Sequence, residues 1–122
     1  MKLKWLSGKY SVCRLPPCSA VPGWAADAFS ITRTGEELSI IASQDVVPDG
    51  VQAQHGFGCF RVNQPLKFDE VGIIASISQI LATERIAILS ISTYDTDYFL
   101  VPNDSQKQAQ SALQIQGYEF IA

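Results

Sequence analysis

The stretch FDEVGIIASISQILATERIAILSISTYDTDYFLV, Phe68 to Val101, decides how the rest of the chain is read. Asp69 is a helix N-cap candidate, and Val71, Ile74, Ile77, Ser78 and Leu81 follow at helical spacing, with Ile73 and Ile80 widening the apolar stripe. Glu84-Arg85 breaks that period. Ile86 to Ser92 is β-branched enough for a strand, and Tyr94-Asp95-Thr96-Asp97 turns the chain into a second strand, Tyr98 to Val101. A helix backing two antiparallel strands is half of a split βαβ unit. Gly72 is out of place in a first helical turn, where glycine costs about 1 kcal/mol relative to alanine. It marks either close packing or a place where something approaches the backbone. First-turn N–H groups lack intrahelical partners and carry the positive end of the helix dipole, so they can receive a carboxylate or phosphate.

Outward from this stretch, the elements complete themselves. Downstream, Pro102-Asn103-Asp104 starts a polar helix, Ser105 to Gln116, with Ala109, Ala112 and Leu113 as its apolar contacts and Ile115 at its margin. Gly117 suits the C′ position, and Tyr118 to Ile121 forms a closing strand. Upstream, Lys9 to Leu15 alternates as a strand ended by Pro16-Pro17. Cys18 to Ala28 reads as a loop or one short helical turn. Phe29–Arg33 and Leu38–Ala42 form a hairpin around Thr34 to Glu37. Val51 to Val62 carries two strands, bent between Gly56 and Gly58.

The two hairpins are related. Shifting the chain by 60 residues places Ser30-Ile31-Thr32 on Ser90-Ile91-Ser92, Glu37 on Asp97, and Leu38 to Ile41 on Tyr98 to Val101. Ser11 to Arg14 then corresponds to Phe60 to Asn63, each followed by proline. This is the mark of an internal duplication. The fold class is therefore α+β: two ferredoxin-like βαββαβ units in tandem, antiparallel sheets with helices on one face. The first unit, residues 1–57, is degenerate and lacks its helices; the second spans 58–122. Ile86 and Ile88 face one way and Leu89 and Ile91 the other, so burial on both faces and self-association are expected.

Composition excludes several functions. The chain has 122 residues, 47% hydrophobic and 17% charged, which describes a packed globule and not a disordered tail. Its net charge of −3 offers no footprint for nucleic acid or an anionic membrane. Met1-Lys2-Leu3-Lys4 is not followed by the apolar run of a signal peptide, and no stretch is long enough to span a bilayer. Cys13, Cys18 and Cys59 form no CxxC pair and leave an odd thiol, the pattern of a cytoplasmic protein with free thiols. His55 lies in an expected loop without spaced companions for a metal. No G-x-S-x-G, P-loop or G-x-G-x-x-G is present, so an enzyme is not expected. His55 to Val62 partly matches the RNP1 consensus, but Cys59 and Val62 replace stacking aromatics, and the acidic charge opposes RNA.

Phe68-Asp69-Glu70-Val71-Gly72-Ile73, followed by Ile91 to Val101, resembles the signature of ACT-domain proteins. The nearest branch is that of the CASTOR-type amino-acid sensors and the regulatory tail of aspartate kinases. The resemblance implies a pair of ACT units that bind an amino acid where units meet, as a homodimer without cofactor, metal or catalytic residues. It implies that the loop Asp69, Glu70, Val71, Gly72 and Ile73 offers N–H groups to the ligand's carboxylate. Asp69, Glu70, Asp95 and Asp97 would hold the ligand's cation, with Thr93 beside them. Capping and turn formation account for Asp69, Glu70, Asp95 and Asp97 without any ligand. A ligand-free dimerisation scaffold is the alternative function.

Overall fold

The computed structural model describes every residue, Met1 to Ala122. The chain divides into two compact units, Gly8–Phe57 and Met1–Ser7 together with Gly58–Ala122. The strand β5 (Ala53–Val62) passes from the first into the second.

In the Gly8–Phe57 unit, β3 (Ser30–Arg33) and β4 (Leu38–Ser43) form the expected hairpin, Ser30 opposite Ile41 and Arg33 opposite Leu38. Thr34 closes it: its Oγ1 accepts from the Glu36 and Glu37 amides, and its own amide donates to the Glu37 carbonyl. β2 (Tyr10–Leu15) lies antiparallel to β4 on one side and to the start of β5 on the other. The resulting order, β5–β2–β4–β3, is fourth–first–third–second, the ferredoxin-like arrangement. Short 3₁₀ turns at Gly23–Ala25 and Gln44–Val46 stand where helices would be. Trp24 and Val47 pack over the buried Cys13, Leu38, Ile40 and Ala42, so the loop covers the sheet.

Two strands separated by a bend were expected between Val51 and Val62; β5 is one strand of ten residues. Its pairing with β2 slips between Tyr10 and Val12, and Gly56 at φ +82° absorbs the extra residue without ending the ladder. His55 therefore sits on a strand and not in a loop. It is exposed and shares a 2.6 Å hydrogen bond through Nδ1 with the fully buried Ser11 hydroxyl. Gly58 does not bend the chain. A Cβ there would lie 2.6 Å from Gln106 Oε1, the movable end of a flexible side chain, and 3.6 Å from the Trp5 ring, an ordinary contact, so the glycine lets Gln106 pack against β5.

The second unit contains β1 (Lys2–Trp5), the rest of β5, α1 (Ile73–Thr83), β6 (Leu89–Ser92), β7 (Asp97–Pro102), α2 (Gln106–Ile115) and β8 (Glu119–Ile121). From β5 onward the order is βαββαβ, an α+β fold with an open sheet and two helices. β1 had no counterpart in the sequence reading. It inserts between the first and last strands of the motif, antiparallel to β5 and parallel to β8. Leu3 is fully buried, and the Trp5 ring stacks on Phe120 at 5.4 Å while its Nε1 donates to Gln110 Oε1. Ile77 and Leu81 of α1 and Ala109 and Leu113 of α2 bury against Phe60, Val62, Phe99 and Val101.

Both helices end as the sequence indicates. After α2, Gly117 takes φ +97°, and the Tyr118 amide bonds to the Leu113 carbonyl in a Schellman motif. After α1, Arg85 fills the same left-handed position at φ +60°, and the Ile86 amide bonds to Leu81. Ile86 is buried but precedes β6, which is shorter than expected. Leu89 remains 39% exposed, so burial on both faces of that strand is not found within this unit.

Candidate functional site

α1 begins at Ile73, two residues later than its apolar period indicates. Gly72 is its N-cap, at φ +89° and ψ −5°, and makes no side-chain capping bond. The first helical hydrogen bond runs from the Ser76 amide to the Gly72 carbonyl. The amides of Ile73, Ile74 and Ala75 therefore have no intrahelical acceptor. Asp69 does not cap; it lies exposed in the preceding turn. That turn is closed by Glu70, whose Oε1 accepts from the Lys67 amide at 2.9 Å. Val71, placed in the helix stripe by its spacing, is 90% exposed and outside the helix.

The open helix end faces a cleft of about 350 Å3. One wall is the segment from Leu66 to Ala75, the other the β6–β7 turn from Ser92 to Asp97. The Leu66 amide donates to the Asp95 carbonyl at 2.7 Å and joins the walls at their base. Thr93 bonds the Thr96 backbone through both amide and hydroxyl, and Ser92 Oγ donates to Asp97 Oδ1 at 2.7 Å. The buried Thr96 hydroxyl donates to the Val62 carbonyl and ties the turn to β5. Across the mouth, Phe68 and Tyr94 meet edge to face at 5.0 Å, although each is about four-fifths exposed.

Of the residues expected at a site, Glu70, Gly72, Ile73, Thr93, Asp95 and Asp97 line this cleft; Asp69 and Val71 do not. Sequence reasoning missed Lys67, Phe68, Ala75, Ser92 and Tyr94. The signal for the two aromatics was available: each is a large ring beside a polar turn, with no strand or helix period to bury it. Three carboxylates and one lysine give the cleft a negative balance, while its helix end presents amide hydrogens. A molecule with a carboxylate at one end and a cation at the other matches that polarity.

No group of three or more His, Cys, Asp or Glu residues is placed to hold a metal. No helix is long and apolar enough to cross a membrane. All three cysteines are free; burial raises the Cys13 thiol and pushes the Cys59 thiol up to about 12, against a lowering by the Phe99 backbone. Neither buried thiol is a nucleophile at neutral pH.

A βαββαβ unit with two helices on an open sheet defines the class, a ferredoxin-like α+β fold. A family model described as the ACT domain matches residues 52–114, just over half of the chain. This chain belongs to the ACT-domain family. A separate N-terminal-domain model matches residues 8–50. Over 41 residues the chain is 51% identical to the cytosolic arginine sensor for mTORC1 subunit 1 of Homo sapiens and of Bos taurus. That match covers 34% of this chain and only 12% of the sensors' length. A crystal structure of a protein from Agrobacterium tumefaciens superposes with a TM-score of 0.92 at 38% identity, covering 98% of this chain and 91% of that one. The regulatory subunit of aspartate kinase from Thermus flavus superposes at 0.64 with 11% identity, covering 92% and 94%, a likeness of fold alone.

Proposed function

We propose that this chain is a non-catalytic regulatory module that binds an amino acid in the cleft between the α1 entry and the β6–β7 turn. The observation that carries this reading is the uncapped N-terminus of α1, open to a cleft of about 350 Å3 that carboxylates line on the far side. That volume lies at the small end of ligand pockets, as a free amino acid requires. The amides of Ile73, Ile74 and Ala75 receive the α-carboxylate; Asp95 and Asp97 hold the ammonium group. Thr93 keeps the turn in place, and Glu70 does the same for the entry loop. Asp69 and Val71, which do not line the cleft, have no role in this scheme. The local sequence likeness to the cytosolic arginine sensor supports a ligand of this class.

The Gly8–Phe57 unit is a reduced ACT-like partner to the second unit, and the protein works as a cytoplasmic homodimer. Catalysis has no support: the Ser11 hydroxyl, though bonded to His55, is fully buried and out of reach of a substrate.

Thermal melts of the full chain against the common amino acids test the reading. A ligand present at 100 times its Kd and bound only to the native state adds about 2.7 kcal/mol, a rise in Tm of several degrees. Ala75→Leu fills the cleft from a helix-compatible position and is expected to remove that rise while leaving the unliganded Tm near its original value. A flat response to every amino acid would leave the ligand-free scaffold as the function.

A further inference from the structure

A second feature lies on the other side of the Thr93–Thr96 turn. Phe60 and Val62 of β5 are buried under the helices, so the alternation of the strand sends Arg61 to the opposite face. Lys4 of β1 stands directly opposite it in register, on the same face, and Lys2 follows two residues back. Arg61 borders a hollow of about 260 Å3 formed with Asn63, Pro65, Asp95 and Thr96. Its Nη2 donates to Asn63 Oδ1 at 2.8 Å, a neutral acceptor. Its Nε is buried and has no partner. A buried donor without an acceptor costs about 1–3 kcal/mol, more when it is charged, so native structures leave few of them.

We propose that this hollow is a binding site for a small oxyanion, a carboxylate or phosphate group. Nε and Nη2 form the side-on edge of a guanidinium, the edge that matches two oxygens of such a group. Binding turns Arg61 so that Nε, covered in the unliganded side chain, meets the oxyanion. Asn63, through its Oδ1, holds the guanidinium in place and leaves its side-chain Nδ2 to donate. The Lys4 ammonium adds positive charge beside Arg61. Asp95 on the rim opposes a second negative charge, so a singly charged carboxylate is favoured over a phosphate dianion. The site is separate from the amino-acid cleft and stands or falls without it, although Asp95 and Thr96 border both.

Proton–nitrogen correlation spectra of the full chain, titrated separately with sodium acetate and sodium phosphate at constant pH and ionic strength, test the site. Saturable shifts of the amides of Arg61 to Gln64 and of Asp95 and Thr96 are expected, tighter for acetate, and independent of any shifts at Ile73 to Ala75 from acetate in the amino-acid cleft. Arg61→Gln should weaken that binding by about tenfold or more, the worth of a charged hydrogen-bond donor. Arg61→Lys, which keeps the charge and loses the fork, should fall between. Ala75→Leu should leave the shifts of Arg61 to Gln64, Asp95 and Thr96 unchanged. Shifts at Arg61 to Gln64, Asp95 and Thr96 that rise linearly without saturation, that vanish in Ala75→Leu, or that persist in Arg61→Gln would each overturn the proposal.

Discussion

At Gly72 the backbone stands at φ +89°, and a Cβ built there meets nothing within 4 Å. Conformation, not crowding, therefore selects glycine at the entrance to α1: an L-residue there costs about 1–2 kcal/mol in strain. A bulky residue at Gly72 would mix strain with occlusion, which is why Ala75 is the better position from which to block the cleft. Thr96 offers a second test at this scale. Its hydroxyl is the partner of the Val62 carbonyl, so Thr96→Val should destabilise the fold by roughly 1–3 kcal/mol, read as a lower midpoint in urea. An unchanged midpoint would show that the turn does not depend on this bond. The composition of the loop marked Gly72 as unusual, but the 3.6-residue period extended the helix back to Val71. Periodicity records which side chains share a face; it does not record where the first residue leaves helical dihedrals. Val71 falls on the stripe by spacing and two residues ahead of the helix by backbone.

Among the elements, β1 carries the largest consequence. It provides both neighbours of its position, β5 and β8, with a paired strand and fills the core with Leu3. Deleting Met1 to Ser7 should leave the second unit without a cooperative thermal transition in circular dichroism; a melt that persisted would show that β5 and β8 can close on each other. The hairpins, both helices and their glycine or Arg85 terminations were legible because each is written within a dozen residues. Ala109, Ala112 and Leu113 are buried as their spacing requires, and Ile115 is 81% exposed. β1 was not legible, since four residues with two lysines carry too little alternation to mark a strand without the partners they meet.

For the molecule as a whole, thiol chemistry and association are the accessible measurements. Cys18 is exposed, whereas Cys13 and Cys59 are buried. A disulfide reagent should therefore modify one thiol rapidly in the native protein and all three in denaturant; rapid modification of all three in the native protein would contradict the burial. Burial raises the Cys59 thiol from its usual 9.0 to about 12, so between those values the native state keeps a proton that the unfolded state has lost. Stability present below pH 9 should then decline as pH rises through that window. Light scattering is expected to read twice the 13.3 kDa chain mass; a monomer at all concentrations would remove the homodimer.

The residues of this chain determine by themselves an α+β architecture, the positions of its hairpins and helices, its free thiols, a glycine-marked loop and an acidic turn. These are local properties, set by periodicity, turn chemistry and charge over short spans. Tertiary structure alone decided that Lys2–Trp5 completes the second unit, that Gly72 stands outside α1, and that Asp69 and Val71 miss the cleft while Lys67, Phe68, Ser92 and Tyr94 enter it. Those outcomes depend on strand pairings and side-chain contacts between segments far apart in sequence, which no local pattern encodes.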